Sequence, residues 1–415
     1  MSFNMRYKSH HNVGGLLGRY YPSVRIEESK LLEKLSEKPK DVPRAVYVHT
    51  PYCDKICSFC NLNREQIDGS LDSYTDYIVE EFNKYGKYRY FKDKSVDVIY
   101  FGGGTPTVYN SIQLEKILKS VKENLIFSSE YEFTFETTLH NLNDEKIKLM
   151  NEYGVNRISI GIQSFSEIGR KFYNRTYNKS EVIKRVMDLK QKFRGEVCVD
   201  IIYNYPNQTM EEIKEDAKLI KKLDLGSSSF YSLMIHEGSK LSGDMEENKL
   251  QEKESLKRER ELHDEFIKEL TSEDDYYILE LTKIAKKGRD KYKYIKTRSF
   301  GGDTFPIGVG AGGSIDNISI FRMKKDMSIY MEKSEYHQRI EKFSGLFQFP
   351  NIEKEIVKNI LNEKEYEIFI KVMRELQEKN LMKEDEKNYL FTEDGIFWGN
   401  NISREVLIEV IEKGR

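Results

Sequence analysis

Residues 42–234 alternate short apolar runs with amphipathic stretches. Six runs, at 45–49, 96–101, 132–136, 157–162, 197–203 and 228–233, are mostly short and rich in β-branched or aromatic residues. That pattern predicts buried parallel strands. Helical periodicity fills the gaps and predicts helices at 74–87, 112–124, 144–153, 180–190 and 210–223. Thr209-Met210-Glu211-Glu212 reads as a capping box at the start of the last of these. Strand and helix alternating this regularly predict a parallel α/β barrel or open sheet, with ligands at the C-terminal strand ends.

The flanking segments differ. Residues 1–41 form an extension with aromatic and glycine content, read as a lid or an arm. Residues 245–270 are dense in Glu, Lys and Arg, which predicts a solvated helix laced with i,i+4 ion pairs. The last segment reads as helices followed by a ribbon at Tyr389-Leu390-Phe391-Thr392-Glu393-Asp394-Gly395, a winged-helix-like appendage. Of the 415 residues 67 are basic and 69 acidic, a balance that gives no electrostatic footprint for nucleic acid. That balance makes the appendage a cover or a partner surface. No apolar run reaches the length of a membrane span.

Chemistry concentrates just after the first strand. Cys53-Asp54-Lys55-Ile56-Cys57-Ser58-Phe59-Cys60 offers three thiolates, not four, to one metal centre. Thiolates hold iron–sulfur clusters, and a four-iron cluster with three protein ligands keeps one iron open for a small molecule. A zinc site would need a fourth ligand, and neither His49 nor Cys198 has zinc-ribbon spacing. Four cysteines in this length are no disulfide framework, and no signal peptide opens the chain, so a reducing cytoplasm is expected.

Phe101-Gly102-Gly103-Gly104-Thr105-Pro106-Thr107 ends the second strand, where glycines let backbone approach a ligand and free its N–H groups to bind. Alone, such a run is also a tight strand-to-helix turn. Glu136 ends the third strand and could hold a ribose hydroxyl or an ammonium; a rim salt bridge is the alternative. Gln163 ends the fourth strand, where its amide can donate and accept. Arg175 is a permanent cation able to pair with a carboxylate. Asp200 sits inside an apolar strand, which is costly for an acid without a partner. Cys198, beside it, reads as a small buried apolar residue.

The cysteine loop, the glycine loop and Asn156-Arg157-Ile158-Ser159-Ile160-Gly161-Ile162-Gln163-Ser164-Phe165 together resemble the radical S-adenosylmethionine (SAM) enzymes. The likeness is greatest to their oxygen-independent coproporphyrinogen oxidase branch. There a Tyr-x-His-x-Pro run precedes the cysteines, as Tyr47-Val48-His49-Thr50-Pro51 does here. The likeness covers most of 42–233 and continues more weakly through 307–314 and the C-terminal appendage. It implies a partial parallel (β/α)6 barrel over 42–240, an N-terminal extension over 1–41, a barrel extension with connecting helices over 241–345, and a small helical, winged-helix-like domain over 346–415.

By the same resemblance Cys53, Cys57 and Cys60 ligate a [4Fe–4S] cluster whose open iron takes one SAM. Tyr47, Gly103 and Glu136 match positions that hold this molecule. Phe59, Gly104, Thr105, Gln163, Arg175 and Asp200 match positions that hold a second SAM in the coproporphyrinogen dehydrogenases. Within the branch, Gly310-Ala311-Gly312-Gly313 and Tyr330 look most like the anaerobic heme-degrading methyltransferases of the ChuW/HutW type. The dehydrogenases usually carry a fourth cysteine where Leu62 stands and read Gly-Val-Ser-Ala in the later glycine segment; the heme chaperones usually lack so long an extension. The resemblance therefore implies a cytoplasmic enzyme that opens heme to a linear tetrapyrrole by radical methyl transfer, fed by a flavodoxin-like electron donor. A coproporphyrinogen III dehydrogenase and a heme chaperone are the alternatives. His49 belongs to the strand-end motif and is expected to fix loop geometry. His236, His10 and His11 are the remaining candidates to face substrate.

Overall fold

The structure is a computed structural model that describes residues 3–9, 11–20, 22–60, 65–66, 69–246 and 255–414. Its centre is a run of parallel strands: β1 (Arg44–Thr50), β2 (Val96–Gly103), β3 (Phe127–Thr137), β4 (Arg157–Gln163), β5 (Glu196–Tyr203) and β6 (Ser227–Ser232). All six were expected from the sequence. A seventh, β7 (Asp303–Ile307), pairs in parallel with β1 on its free side. Antiparallel strands extend the sheet beyond both ends, through Gly312–Ile315, Ile318–Lys324, Met327–Glu332 and Val24–Ile26 at one edge and Lys283–Lys286 and Tyr276–Glu280 at the other. The two outer strands do not pair with each other, so the barrel is open.

Helices α1 (Leu71–Tyr85), α2 (Ser111–Asn124), α3 (Asp144–Glu152), α4 (Lys179–Lys192) and α5 (Met210–Lys222) cover one face of the sheet. The start of α5 is the capping box expected from the sequence: Thr209 accepts from the Glu212 N–H while Glu212 accepts from the Thr209 N–H. Strand parity explains which side the helices take. Phe133 and Phe135 of β3, Ile158, Ile160 and Ile162 of β4, and Val197, Val199 and Ile201 of β5 share one buried cluster with Leu114, Leu118, Val186 and Ile213 of the helices. Fully burying each such side chain contributes roughly 1.5–3 kcal/mol. The alternate positions, among them Thr134, Glu136, Ser159, Gly161 and Asp200, are polar or small and face the lumen. Parallel strands usually bury apolar residues on both faces; here one face is kept polar because it lines a cavity.

The lumen floor is held by a buried ion pair. Arg157 donates through Nε and Nη2 to the two oxygens of Asp290 at 3.0 and 2.9 Å. Ser227 and Cys198 also donate to Asp290. Cys198 is buried as expected, and burial pushes its thiol up to about 12.

A second cluster, with Phe343, Phe369, Leu376, Ile402 and Leu407, forms the C-terminal segment. Helices Lys354–Ile360 and Glu363–Glu378 precede the hairpin Met382–Glu384 and Asn388–Phe391, the order of helices then ribbon expected from the sequence, and helix Glu335–Leu346 packs on them from outside the expected segment. A long helix, Gly399–Gly414, follows the hairpin and was not expected.

The charge-dense stretch departs from expectation. Helix α6 (Leu256–Leu270) does carry an i,i+4 pair, Arg260–Asp264, but it is not solvated all round. Glu259, Leu262, His263, Phe266 and Leu270 are buried, because this face packs against α5 and the C-terminal segment. Residues 247–254 lie outside the described residues. The N-terminal extension is docked. Arg6 donates to Phe397 O, Tyr203 OH and Glu259 Oε1 at 2.8, 2.7 and 2.6 Å, with its guanidinium 4.2 Å from the Phe397 ring centre. Asn400 and Asn401 donate to the carbonyls of Tyr7 and Met5. Among the described residues no helix is long and apolar enough to cross a membrane.

Candidate active site

One cavity of about 730 Å³ opens at the C-terminal ends of the parallel strands. Its wall contains Cys53, Cys57, Cys60, Phe59, Gly103, Gly104, Thr105, Glu136, Gln163, Arg175 and Asp200, residues contributed by six segments of the chain. Tyr47 is not in the wall. It stands one layer behind, stacked on Tyr294 with ring centres 5.9 Å apart and bonded through its hydroxyl to His49 Nδ1 at 3.0 Å.

The cysteine loop is pinned at several points. Cys53 ends a short strand, Tyr52–Cys53, that pairs with Glu65–Gln66. Ser58 donates to Phe172 O at 2.9 Å, and Phe59 meets Tyr173 edge-on at 5.3 Å. The glycine loop is drawn against it by the N–H groups of Gly104 and Thr105, which donate to Thr50 O and Tyr52 O at 2.7 and 2.8 Å. A Cβ on Gly104 would come within 2.5 Å of Tyr52 O and 3.0 Å of the Cys53 sulfur. Only glycine allows this approach. His49 lies behind the loop, where a Cβ on Gly103 would sit 2.8 Å from its ring.

The donor set fits an iron–sulfur cluster. Three cysteines of one loop, none in a disulfide, share the cavity wall, and Cys198 is bonded to Asp290 elsewhere. Among the described residues no three His, Cys, Asp or Glu side chains already close on a common point. Arg175 caps the loop: Nη1 donates to the Cys57 sulfur at 2.9 Å, and Nη2 donates to Gly161 O.

The carboxylates are tuned by burial. Glu136 accepts from Tyr100 OH at 2.6 Å and from the Gly103 N–H at 3.3 Å. Burial pushes its carboxyl up to about 7, these two bonds opposing. Ser159 donates to Asp200 at 3.5 Å. Gln163 adopts a left-handed backbone, φ 70°, and its Oε1 is buried with no hydrogen-bond partner. An unpaired buried acceptor costs about 1–3 kcal/mol, which a ligand donor would recover.

Behind Gln163, the buried Asp216 accepts from the Phe165 N–H at 2.9 Å and from Ser164 Oγ at 3.1 Å. Burial pushes its carboxyl up to about 7, from an ordinary value of 3.8. A raised carboxyl means the folded state binds the proton more tightly than the unfolded state. The associated stability is full below the ordinary value and is lost as pH rises through about 7. An Asp216→Asn variant should show a smaller fall in melting temperature between about pH 5 and pH 8 than the parent, read by thermal melts across that range.

The sequence reading missed several wall residues. Tyr100, Ser159, Ser229 and Tyr231 lie on strands it recognised, and lumen parity with Glu136 would have found them. Lys8, His140, Leu281, Lys283, Tyr292, Gln348 and Asn400 also line the cavity but come from segments whose position only the fold reveals. His236 is in the wall; the side chains of His10 and His11 lie outside the described residues. Tyr330, in the outer antiparallel strands, is not in the wall and lies beside Arg322. The later glycine segment supports β1 instead. Gly308 packs against His49 O, and Tyr74 bridges the two, donating to His49 O at 2.8 Å and accepting from the Val309 N–H at 2.9 Å.

A partial parallel barrel with three thiols at the mouth of its lumen defines a radical SAM domain, and the radical SAM superfamily model matches residues 47–220. Its cofactors are a [4Fe–4S] cluster and SAM. More narrowly, the chain is similar to heme chaperones, an anaerobilin synthase and oxygen-independent coproporphyrinogen III oxidases. It is 27% identical to the heme chaperone HemW of Lactococcus lactis over 89% of this chain and 98% of that protein. It is 26% identical to the anaerobilin synthase of Escherichia coli O157:H7 over 69% of this chain and 64% of that protein. The solved coproporphyrinogen III oxidase of Escherichia coli shares the fold, with TM-score 0.78 and 20% identity over 93% of this chain and 96% of that one.

Proposed function

We propose that this protein degrades heme anaerobically by radical SAM-dependent methyl transfer, opening the porphyrin to a linear tetrapyrrole and releasing iron. The observation that carries the reading is the double set of ligand-holding residues in one cavity. Cys53, Cys57, Cys60, Gly103 and Glu136 line it together with Phe59, Gly104, Thr105, Gln163, Arg175 and Asp200; by the resemblance the first group would hold a cluster and one SAM and the second group a second SAM. A protein that only carries heme has no chemical need of a second. The likeness to an anaerobilin synthase supports the same reading.

When bound, the cluster and SAM supply one electron and a carbon-centred radical. The chain's residues do the rest by binding, orientation and exclusion of water. Cys53, Cys57 and Cys60 hold the cluster, and Arg175 stabilises the Cys57 sulfur by a charge-assisted hydrogen bond. Glu136, once ionised, receives an ammonium, and the orphan oxygen of Gln163 accepts a donor from the second molecule. Tyr231, Tyr292 and Leu281 offer flat or apolar wall to a tetrapyrrole. A flavodoxin-like donor would supply the electron, in the cytoplasm.

The heme-chaperone reading is favoured by one observation: the likeness to a heme chaperone spans nearly the whole of both chains. Anaerobic incubation of reconstituted protein with heme, SAM and reductant separates the two. Loss of the Soret band with a methylated open-chain product is expected. A bound heme whose spectrum and mass stay unchanged would overturn degradation in favour of carriage. Decarboxylation of coproporphyrinogen in the same assay would instead make it a dehydrogenase.

A further inference from the structure

Among the basic side chains in the cavity wall, Lys283 stands apart. Lys8 is paired with Glu259 at 3.1 Å and Arg175 is engaged by Cys57 and Gly161, whereas Lys55 is exposed. Lys283 is only 1% exposed, and no carboxylate among the described residues lies within ion-pair distance of it. Its ammonium donates to Ser229 Oγ and sits 4.6 Å from the centre of the Tyr292 ring. A hydroxyl and an aromatic face solvate a cation only in part, and an unpaired buried charge is costly.

Register explains why it points where it does. Lys283 pairs with Ser229 across the antiparallel edge, and Ser229 pairs with Asp200 of β5, which pairs with Gly161 of β4. Gly161, Asp200, Ser229 and Lys283 therefore form one row across four adjacent strands, and all four are in the cavity wall. The row carries an acid and a base separated by a hydroxyl, and the Gln163 amide packs against the glycine. Below this row Asp290 is held by two hydrogen bonds from Arg157 and feels the charge of Lys283 only from beyond ion-pair distance. Lys283 is thus the cation left to meet an anion entering from the cavity.

We propose that Lys283 is a carboxylate anchor: its ammonium, with Ser229 beside it, seats a carboxylate of a molecule bound in the cavity. Two molecules of the proposed function carry one, a propionate-bearing tetrapyrrole and the amino-acid end of SAM. The assignment rests on that functional reading for its substrates but not for its geometry. The ammonium is a point charge with three rotatable donors, so it can bond Ser229 and a carboxylate together.

The test uses full-length, cluster-reconstituted protein and the variants Lys283→Met and Lys283→Arg. Met keeps the stem and removes the charge, and Arg restores it. Affinities are measured for heme, for heme with both propionates esterified, and for SAM. Unchanged iron content and an unchanged thermal melt establish that each variant is folded. A propionate anchor predicts that Lys283→Met weakens heme binding by at least about tenfold, that esterified heme binds parent and variant alike, and that Lys283→Arg recovers most of the loss. A selective loss of SAM affinity of that size would keep the anchor and assign it to the SAM carboxylate. Equal affinities of parent and Lys283→Met for both heme and SAM would overturn it. Should the parent bind no heme at all, the tetrapyrrole reading falls while the SAM arm still decides Lys283. If Lys283→Met does not fold, Lys283→Gln and the esterified-heme comparison on the parent carry the test.

Discussion

A Cys57→Ala variant is expected to leave anaerobic reconstitution without a [4Fe–4S] cluster and to make no 5′-deoxyadenosine from SAM. The effect is all-or-none because the loop offers three thiols and the fold offers no spare. Cys198, the remaining cysteine, is buried on the lumen floor with its thiol raised to about 12 and bonded to Asp290. It can neither ionise readily nor reach the mouth. Cys57 is also the thiol that Arg175 contacts, so its loss leaves that guanidinium holding only Gly161 O. Iron and sulfide analysis, visible absorption and product chromatography check the prediction. A Cys57→Ala protein that still yields 5′-deoxyadenosine would overturn the cluster assignment. A Cys198→Ala protein should keep both cluster and cleavage, which makes it the matched control.

Asp290→Ala should be the most destabilising single change away from the cysteines, at about 3–5 kcal/mol. The reason is the fate of Arg157, which is 3% exposed and would keep its charge with only Glu132 near it, beyond ion-pair distance. Burial alone would lift the Asp290 carboxyl, but Arg157 and Lys283 pull it well below the usual range. A depressed carboxyl adds stability that is present above its ordinary value of 3.8 and lost only in stronger acid. Denaturant unfolding at neutral pH measures the loss. Replacing both partners together, as Arg157→Met with Asp290→Leu, should recover much of it, because the penalty lies in the orphaned charge rather than in the missing bond. Equal destabilisation of the single and double variants would refute that account.

These residues also show how far the sequence could be read. The six strands were legible because each is a compact β-branched or aromatic run bounded by a helix-period segment. The cluster loop, the glycine loop, Glu136, Gln163 and Asp200 were legible because they stand at or inside those runs. β7 was not, because Pro306 lacks the N–H a central strand needs and so argues against one. Lys283 and Tyr292 were hidden for a different reason. Nothing local marks a lysine as buried; its environment is set by Ser229 and by a chain reversal at Tyr292, φ 41°. Charge density in α6 masked the inward stripe of Leu262, Phe266 and Leu270, and the partners of Glu259 lie in the first eight residues. Tyr47 shows the converse: a motif position can be recognised while its distance from the cavity wall cannot.

The docked N-terminus has a practical consequence for anyone handling the protein. Lys8 and Ser9 are in the cavity wall, so whatever is fused before Met1 starts within a few residues of the thiols' chamber. A six-histidine tag spans about 20 Å when extended and carries imidazoles that ligate both iron and heme. Purified that way, the protein would bring its own competing ligands to the spectra used to judge it. A tag placed after Arg415, or one cleaved before reconstitution, keeps the Soret band and the cluster absorption free of that interference.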